Sequence, residues 1–101
     1  MGIDAKLQTE DGKILQEVFD PEDILQQLIP SSDEGSACLR FVDLYSDTTF
    51  NRLQIPVLIK ELENAIRNSE SAEARKHGEK VLELVKKATN ETYNYIKFIG
   101  D

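Results

Sequence analysis

The chain has 101 residues, 40% of them hydrophobic and 31% charged, with a formal net charge of −7 at pH 7. That size fits one domain whose small core needs neither disulfide nor metal, and the composition is that of a soluble globular protein rather than a disordered one. The acidity disfavours nucleic acid and anionic membrane; the longest apolar run, residues 55–59, is far short of a span; and the single Cys38 excludes an internal disulfide or a multi-cysteine metal site.

Residues 3–8 alternate, with Ile3, Ala5 and Leu7 on one side and Asp4, Lys6 and Gln8 on the other, which predicts a half-buried strand. Asp11-Gly12 then signals a hairpin. A two-residue loop places Leu7 opposite Gln16. A three-residue loop, with Gly12 left-handed, places Leu7 opposite Leu15 and Ile3 opposite Phe19, and apolar matching favours this second register. The second strand then covers about 14–19, with Glu17 pointing among apolar residues. Asp20-Pro21-Glu22-Asp23 reads as a helix start, with Asp20 as cap and two acids in the first turn; Ile24, Leu25 and Leu28 supply an apolar stripe that Pro30 ends.

Residues 38–45 read as a third strand, with Leu39 and Phe41 on one face and Val42 and Leu44 on the other. A polar loop, 46–52, follows. Leu58, Leu62, Ala65 and Ile66 predict a helix from near Pro56 to Asn68. Ser71 caps a further helix to about Ala88, with Val81, Leu84, Val85 and Ala88 on one face, and the short link makes the two an antiparallel pair. Tyr93–Ile99, rich in aromatic and β-branched residues, reads as a fourth strand. The fold is therefore α+β over a single domain, 1–101, in the order ββαβααβ: a four-stranded mixed or antiparallel sheet packed with helices.

The charge is unevenly placed. Residues 1–35 hold nine acids against two bases, and residues 36–101 hold ten of each. An acidic end on a neutral body suggests docking to something basic. The expected contacts are Glu10, Asp11, Glu17, Glu22, Asp23, Asp33 and Glu34. A second reading places a small-molecule site, possibly enzymatic, in the loop that carries Asp43, Tyr45, Asp47, Asn51 and Arg52, where carboxylates, hydroxyls, an amide and a guanidinium stand close in sequence. Such a loop also satisfies itself readily, through Asx turns, caps and an Arg52 ion pair. A third reading is a homo-oligomer built on the last strand or the helix pair.

Catalytic and metal chemistry find little footing. His77 is the lone histidine, Asp43 and Asp47 lack the calcium-loop pattern, and the glycines do not cluster into a phosphate loop. Cys38 and His77 could act as a nucleophile–base pair only if the fold joined them. The expectation is a non-catalytic protein with no cofactor and no metal. The start, Met1-Gly2-Ile3-Asp4, lacks a basic stretch leading into an apolar one, so the expected setting is cytoplasmic.

The segment Leu39-Arg-Phe-Val-Asp-Leu-Tyr-Ser-Asp-Thr-Thr-Phe-Asn-Arg-Leu-Gln54 and the ending Tyr95-Ile-Lys-Phe-Ile-Gly-Asp101 resemble parts of small bacterial proteins to which no activity is attached, over about a quarter of the chain. In size and acidity the chain is also similar to toxin-neutralising immunity proteins. That likeness implies an inhibitory partner-binding role and carries no motif.

Overall fold

A computed structural model describes residues 2–29, 38–43, 45–90 and 94–100. Its first strand, β1 (Asp4–Gln8), buries Ala5 and Leu7 and leaves Asp4, Lys6 and Gln8 half-buried, as the alternation requires. The turn after it is closed by Gly12 N–H donating to the Thr9 carbonyl at 3.0 Å and Thr9 N–H donating to the Lys13 carbonyl at 2.8 Å. Gly12 has φ +90°, a conformation that suits a residue without Cβ.

The left-handed glycine is as expected, but the strand register is not. In β2 (Ile14–Val18), Val18 lies opposite Ala5, Glu17 opposite Lys6, Gln16 opposite Leu7, and Ile14 opposite Gln8. Leu15 is an extra residue in a bulge between the last two pairs. The bulge undoes the apolar matching of Leu7 with Leu15. It turns Val18 towards the core and moves Glu17 to the open face, where its carboxylate sits 3.6 Å from Lys6 Nζ. The energetics favour this. Exposing Leu15 to 49% and Phe19 to 61% forgoes about half of the ~1.5–3 kcal/mol that each gains on full burial. Burying an unpaired Glu17 carboxylate would cost several kcal/mol.

Asp20 accepts the N–H groups of Ile24 and Leu25, but the short helix expected from Pro21 does not form, and the turn that replaces it starts after Ile24 with no side-chain cap. Asp23 has φ +55°, which interrupts the chain after Pro21 and Glu22, and only a 3-10 turn, Leu25–Leu28, forms. The expected strand over 38–45 is also replaced. Leu39–Phe41 is a 3-10 turn, in which Leu39 and Val42, three residues apart, are both buried. Its first N–H groups, those of Cys38 and Leu39, donate to Glu61 Oε1 at 3.1 and 2.7 Å. The third strand, β3 (Asp47–Phe50), comes instead from the segment read as a polar loop.

The two helices form where their periodicity places them. α1 (Ile55–Asn68) buries Ile55, Leu58, Leu62 and Ile66. α2 (Ala72–Lys87) buries Ala74, Val81, Leu84 and Val85 and is capped by Ser71 Oγ, which accepts Ala74 N–H at 3.1 Å. Gly78 lets α2 approach closely: a Cβ there would stand 2.6 Å from Leu28 Cδ1 and 2.8 Å from Ile66 Cγ1. β4 (Tyr95–Ile99) completes an antiparallel sheet of order β2-β1-β4-β3. The α+β architecture is thus a four-stranded antiparallel sheet with the helix pair on one face. Ala5, Leu7, Phe50, Ile96 and Phe98 supply the sheet side of the core, where the Phe50 and Phe98 rings meet edge to face at 6.0 Å. Among the described residues no helix is long and apolar enough to cross a membrane.

Candidate functional site

The face of the sheet turned away from the helices carries a row of charge. Lys6 and Lys97 lie directly opposite each other on β1 and β4, a repulsive pairing. Each is relieved from the outside: Glu17 on β2 sits 3.6 Å from Lys6, and Asp47 on β3 sits 3.3 Å from Lys97. The row is neutral and its members are partly exposed, so each pair contributes at most about 1 kcal/mol. Two acids, one from each sequence-level site, are thereby spent within the sheet.

The remaining acids divide into two groups at opposite ends of β2. Glu10 and Asp11 are exposed at the hairpin tip, beside Lys13. The Thr9 hydroxyl donates to Asp11 Oδ1, and this bond, with a backbone N–H, holds the Asp11 carboxyl below its ordinary range. Glu22 is exposed at the other end, and Asp23 accepts a 2.7 Å bond from Gln26 Nε2. At about 3.3 Å per strand residue, the five residues of β2 put roughly 16 Å between the two ends. Asp33 and Glu34 lie outside the described residues.

Between these ends runs a strand whose large apolar side chains face solvent: Ile14 is 43% exposed, Leu15 49% and Phe19 61%. Ile14, opposite Gln8, lies on the open face, and alternation from Glu17 puts Phe19 there too. Phe19 stands between two clefts. One, of about 450 Å³, has Gly2, Asp4 and Ile99 on its far wall. The other, of about 440 Å³, is walled by Glu22, Ile24, Glu73, Lys76, His77 and Lys80, so the acid at this end of β2 stands among bases.

Asp20 forms the floor shared by both clefts. Its carboxylate is fully buried and accepts three backbone N–H groups: Ile24 at 2.8 Å, Leu25 at 3.0 Å and Ile3 at 3.1 Å. It ties the start of β1 to the turn after β2. His77, its side chain only 10% exposed, brings Nε2 to 3.6 Å from Asp20 Oδ1. Cys38 is held elsewhere, its Sγ 3.7 Å from the Gln54 carbonyl, so the two residues of the conceivable nucleophile–base pair have separate partners. Burial, with the Glu61 carboxylate beside it, pushes the Cys38 thiol above its ordinary pKa, which opposes formation of the nucleophilic thiolate.

The polar segment 43–52 is occupied with its own geometry. Asp43 Oδ1 accepts Tyr45 N–H at 2.8 Å in an Asx turn; that bond and the Ser46 hydroxyl hold its carboxyl low. Asn51 Oδ1 accepts Leu53 and Gln54 N–H at 2.9 and 3.2 Å, while Gln54 Oε1 accepts Asn51 N–H at 3.0 Å, together closing the turn into α1. Tyr45 is 80% exposed and Arg52 is exposed. Sequence reasoning did not single out Ile14 and Phe19 as surface residues. The available signal was Glu17, whose position among apolar residues in the apolar-matched register was unfavourable.

No family model matches the chain, and no curated protein and no solved structure matches it.

Proposed function

We infer that the protein is a non-catalytic binding module that docks on a basic surface of another protein, in the manner of an inhibitory or immunity-type protein. The observation that carries this reading is the β2 edge: exposed apolar side chains with carboxylates at both ends. Apolar anchors supply affinity when a partner desolvates them, and flanking charge steers encounter and fixes register. The docking residues under this reading are Glu10, Asp11 and Glu22 with Ile14, Leu15 and Phe19. Glu17 is held by Lys6 and contributes to shape rather than steering. The loop 43–52 has less support as a small-molecule site, because Asp43, Asp47 and Asn51 are engaged with neighbours.

The test is affinity capture from the organism that encodes the protein, followed by kinetics with the purified partner. The partner should be basic. Its association rate should fall as ionic strength rises from about 0.01 M to about 0.15 M, which shortens the Debye length from about 30 to about 8 Å. Charge reversal at Glu10, Asp11 and Glu22 should slow association more than it speeds dissociation. A partner that binds through the outer face of the helix pair, with no dependence on salt, would refute the reading.

A further inference from the structure

We propose that the cleft between Phe19 and β4 receives one arginine side chain of the basic partner. This rests on the reading above that a basic partner docks beside β2, and it names the group by which that partner is held. The cleft, of about 450 Å³, is walled by Phe19, Pro21 and Ile99, and among the described residues that line it the only charged ones are Asp4 and Asp20. The cleft on the other side of Phe19 mixes Glu22 and Glu73 with Lys76, His77 and Lys80, and so selects no charge.

Asp4 makes the contact. It lies on the open face of β1 with Ile99 directly opposite on β4, and Ile99 in turn faces Asp47 on β3. Its Oδ1 accepts Asp20 N–H at 2.8 Å, which orients the carboxylate and leaves Oδ2 for a ligand. Asp20 serves as floor only: its carboxylate already holds three backbone N–H groups, and His77 approaches it from the other cleft. Lys6 and Lys97 stand two residues along β1 and β4 on the same face, and each sits beside a carboxylate of its own, Glu17 or Asp47.

Arginine suits these walls better than lysine. Its stem packs on apolar side chains, and its guanidinium is planar and more weakly hydrated than an ammonium. It can therefore lie on the Phe19 ring, which is 61% exposed, while it donates to Asp4 Oδ2. The walls are held before a ligand arrives. Ile3 N–H donates to Asp20 Oδ2 at 3.1 Å and Gly100 N–H to the Ser46 carbonyl at 3.0 Å, so binding needs little ordering of the cleft.

The test titrates isotope-labelled protein with blocked peptides, Gly-Ser-Arg-Ser-Gly and its versions with lysine, citrulline or glutamate at the centre. Citrulline keeps the shape of arginine without its charge. At low salt the arginine peptide should shift the amide signals of Asp4, Asp20, Ile99 and Gly100 and bind about tenfold or more tightly than the citrulline one, with lysine between. Asp4→Asn keeps the Oδ1 acceptor for Asp20 N–H and removes the charge. It should bring arginine binding down to the citrulline level with the fold unchanged by circular dichroism. Phe19→Ser, at a mostly exposed position, should weaken arginine binding several-fold. Equal binding of the arginine and citrulline peptides, shifts spread over carboxylates across the whole surface, or arginine binding unchanged by Asp4→Asn would each overturn the proposal. With the captured partner, Asp4→Asn should speed dissociation about tenfold. No change there, with association still slowed by charge reversal at Glu10, Asp11 and Glu22, would overturn the arginine cleft and leave basic docking intact. A partner whose binding ignores both salt and those reversals would overturn the docking reading itself. A concentration-dependent dimer that Asp4→Asn returns to monomer would show that a second copy supplies the cation, and would overturn the proposal.

Discussion

Asp20 offers a direct measure of how the fold is held where β1, β2 and the 3-10 turn Leu25–Leu28 meet. Asp20→Ala removes the acceptor of three backbone N–H groups. Those of Ile3 and Leu25 are bonded in buried surroundings, and that of Ile24 in partly buried ones. An orphaned buried donor costs about 1–3 kcal/mol, and water reaches a partly buried one more readily. Two buried donors at about 1.5 kcal/mol and one at about 1 give a loss of about 4 kcal/mol. That is a large share of the 5–15 kcal/mol typical of a small domain. Asp20→Asn is the informative comparison. Its carbonyl oxygen, placed where Oδ2 stands, keeps the bonds to Ile3 and Leu25 and turns the NH₂ towards the Ile24 donor. The expected cost is then about 2 kcal/mol. Urea denaturation followed by circular dichroism gives both values from the shift in midpoint at constant slope. A loss below about 1 kcal/mol for Asp20→Ala, or an Asp20→Asn variant no more stable than Asp20→Ala, would refute the reasoning. The first would mean that water replaces the carboxylate, and the second that charge rather than acceptor geometry matters.

Gly78→Ala should destabilise by about 1–3 kcal/mol in the same assay, because the new methyl meets Leu28 and Ile66 inside the helix contact and overpacking outweighs the ~1 kcal/mol gain in helix propensity; a more stable variant would show that α2 has room to shift. Asp11 and Asp43 are bound more tightly as carboxylates in the folded chain than in the unfolded one, so their contribution is whole above about pH 4 and fades as pH falls through their lowered folded values. Amide signals of Gly12 and Tyr45 should move in that acidic window, and constant shifts there would count against the two turns as described. Cys38, with its thiol pushed up by burial first and Glu61 second, should alkylate about tenfold or more slowly at about pH 8 in the folded protein than in urea, while equal rates would place the thiol at the surface.

The helix pair was legible in the sequence because its determinants are local. Leu58, Leu62 and Ile66, like Val81, Leu84 and Val85, repeat at the helical period, and Ser71 stands where a cap is needed. Asp20 was legible as an acceptor for the N–H groups that follow it, though not of a helix that starts at Pro21. Its three-way bonding was not, since Ile3 lies seventeen residues away. The segment 38–45 misleads because Leu39 and Val42 fit both an alternating strand and a single 3-10 turn, and periodicity over so few residues does not separate the two. β3 is hidden for the opposite reason. A short outer strand needs only one large inward side chain, Phe50, so Asp47-Thr48-Thr49 reads as loop.

The candidate site depends on one non-local event, the bulge at Leu15. Composition marks residues 1–35 as acidic, but it does not say which carboxylates stay free, and the register decides that. The single inserted residue sends Val18 inwards, hands Glu17 to Lys6 and leaves Ile14 and Phe19 outside. The same shift that spares the core a buried charge therefore leaves apolar side chains exposed between the hairpin tip and the turn that carries Glu22. Regular pairing would have turned Phe19 towards the core opposite Ile3, and the edge would then have kept its acids while losing its most exposed aromatic side chain.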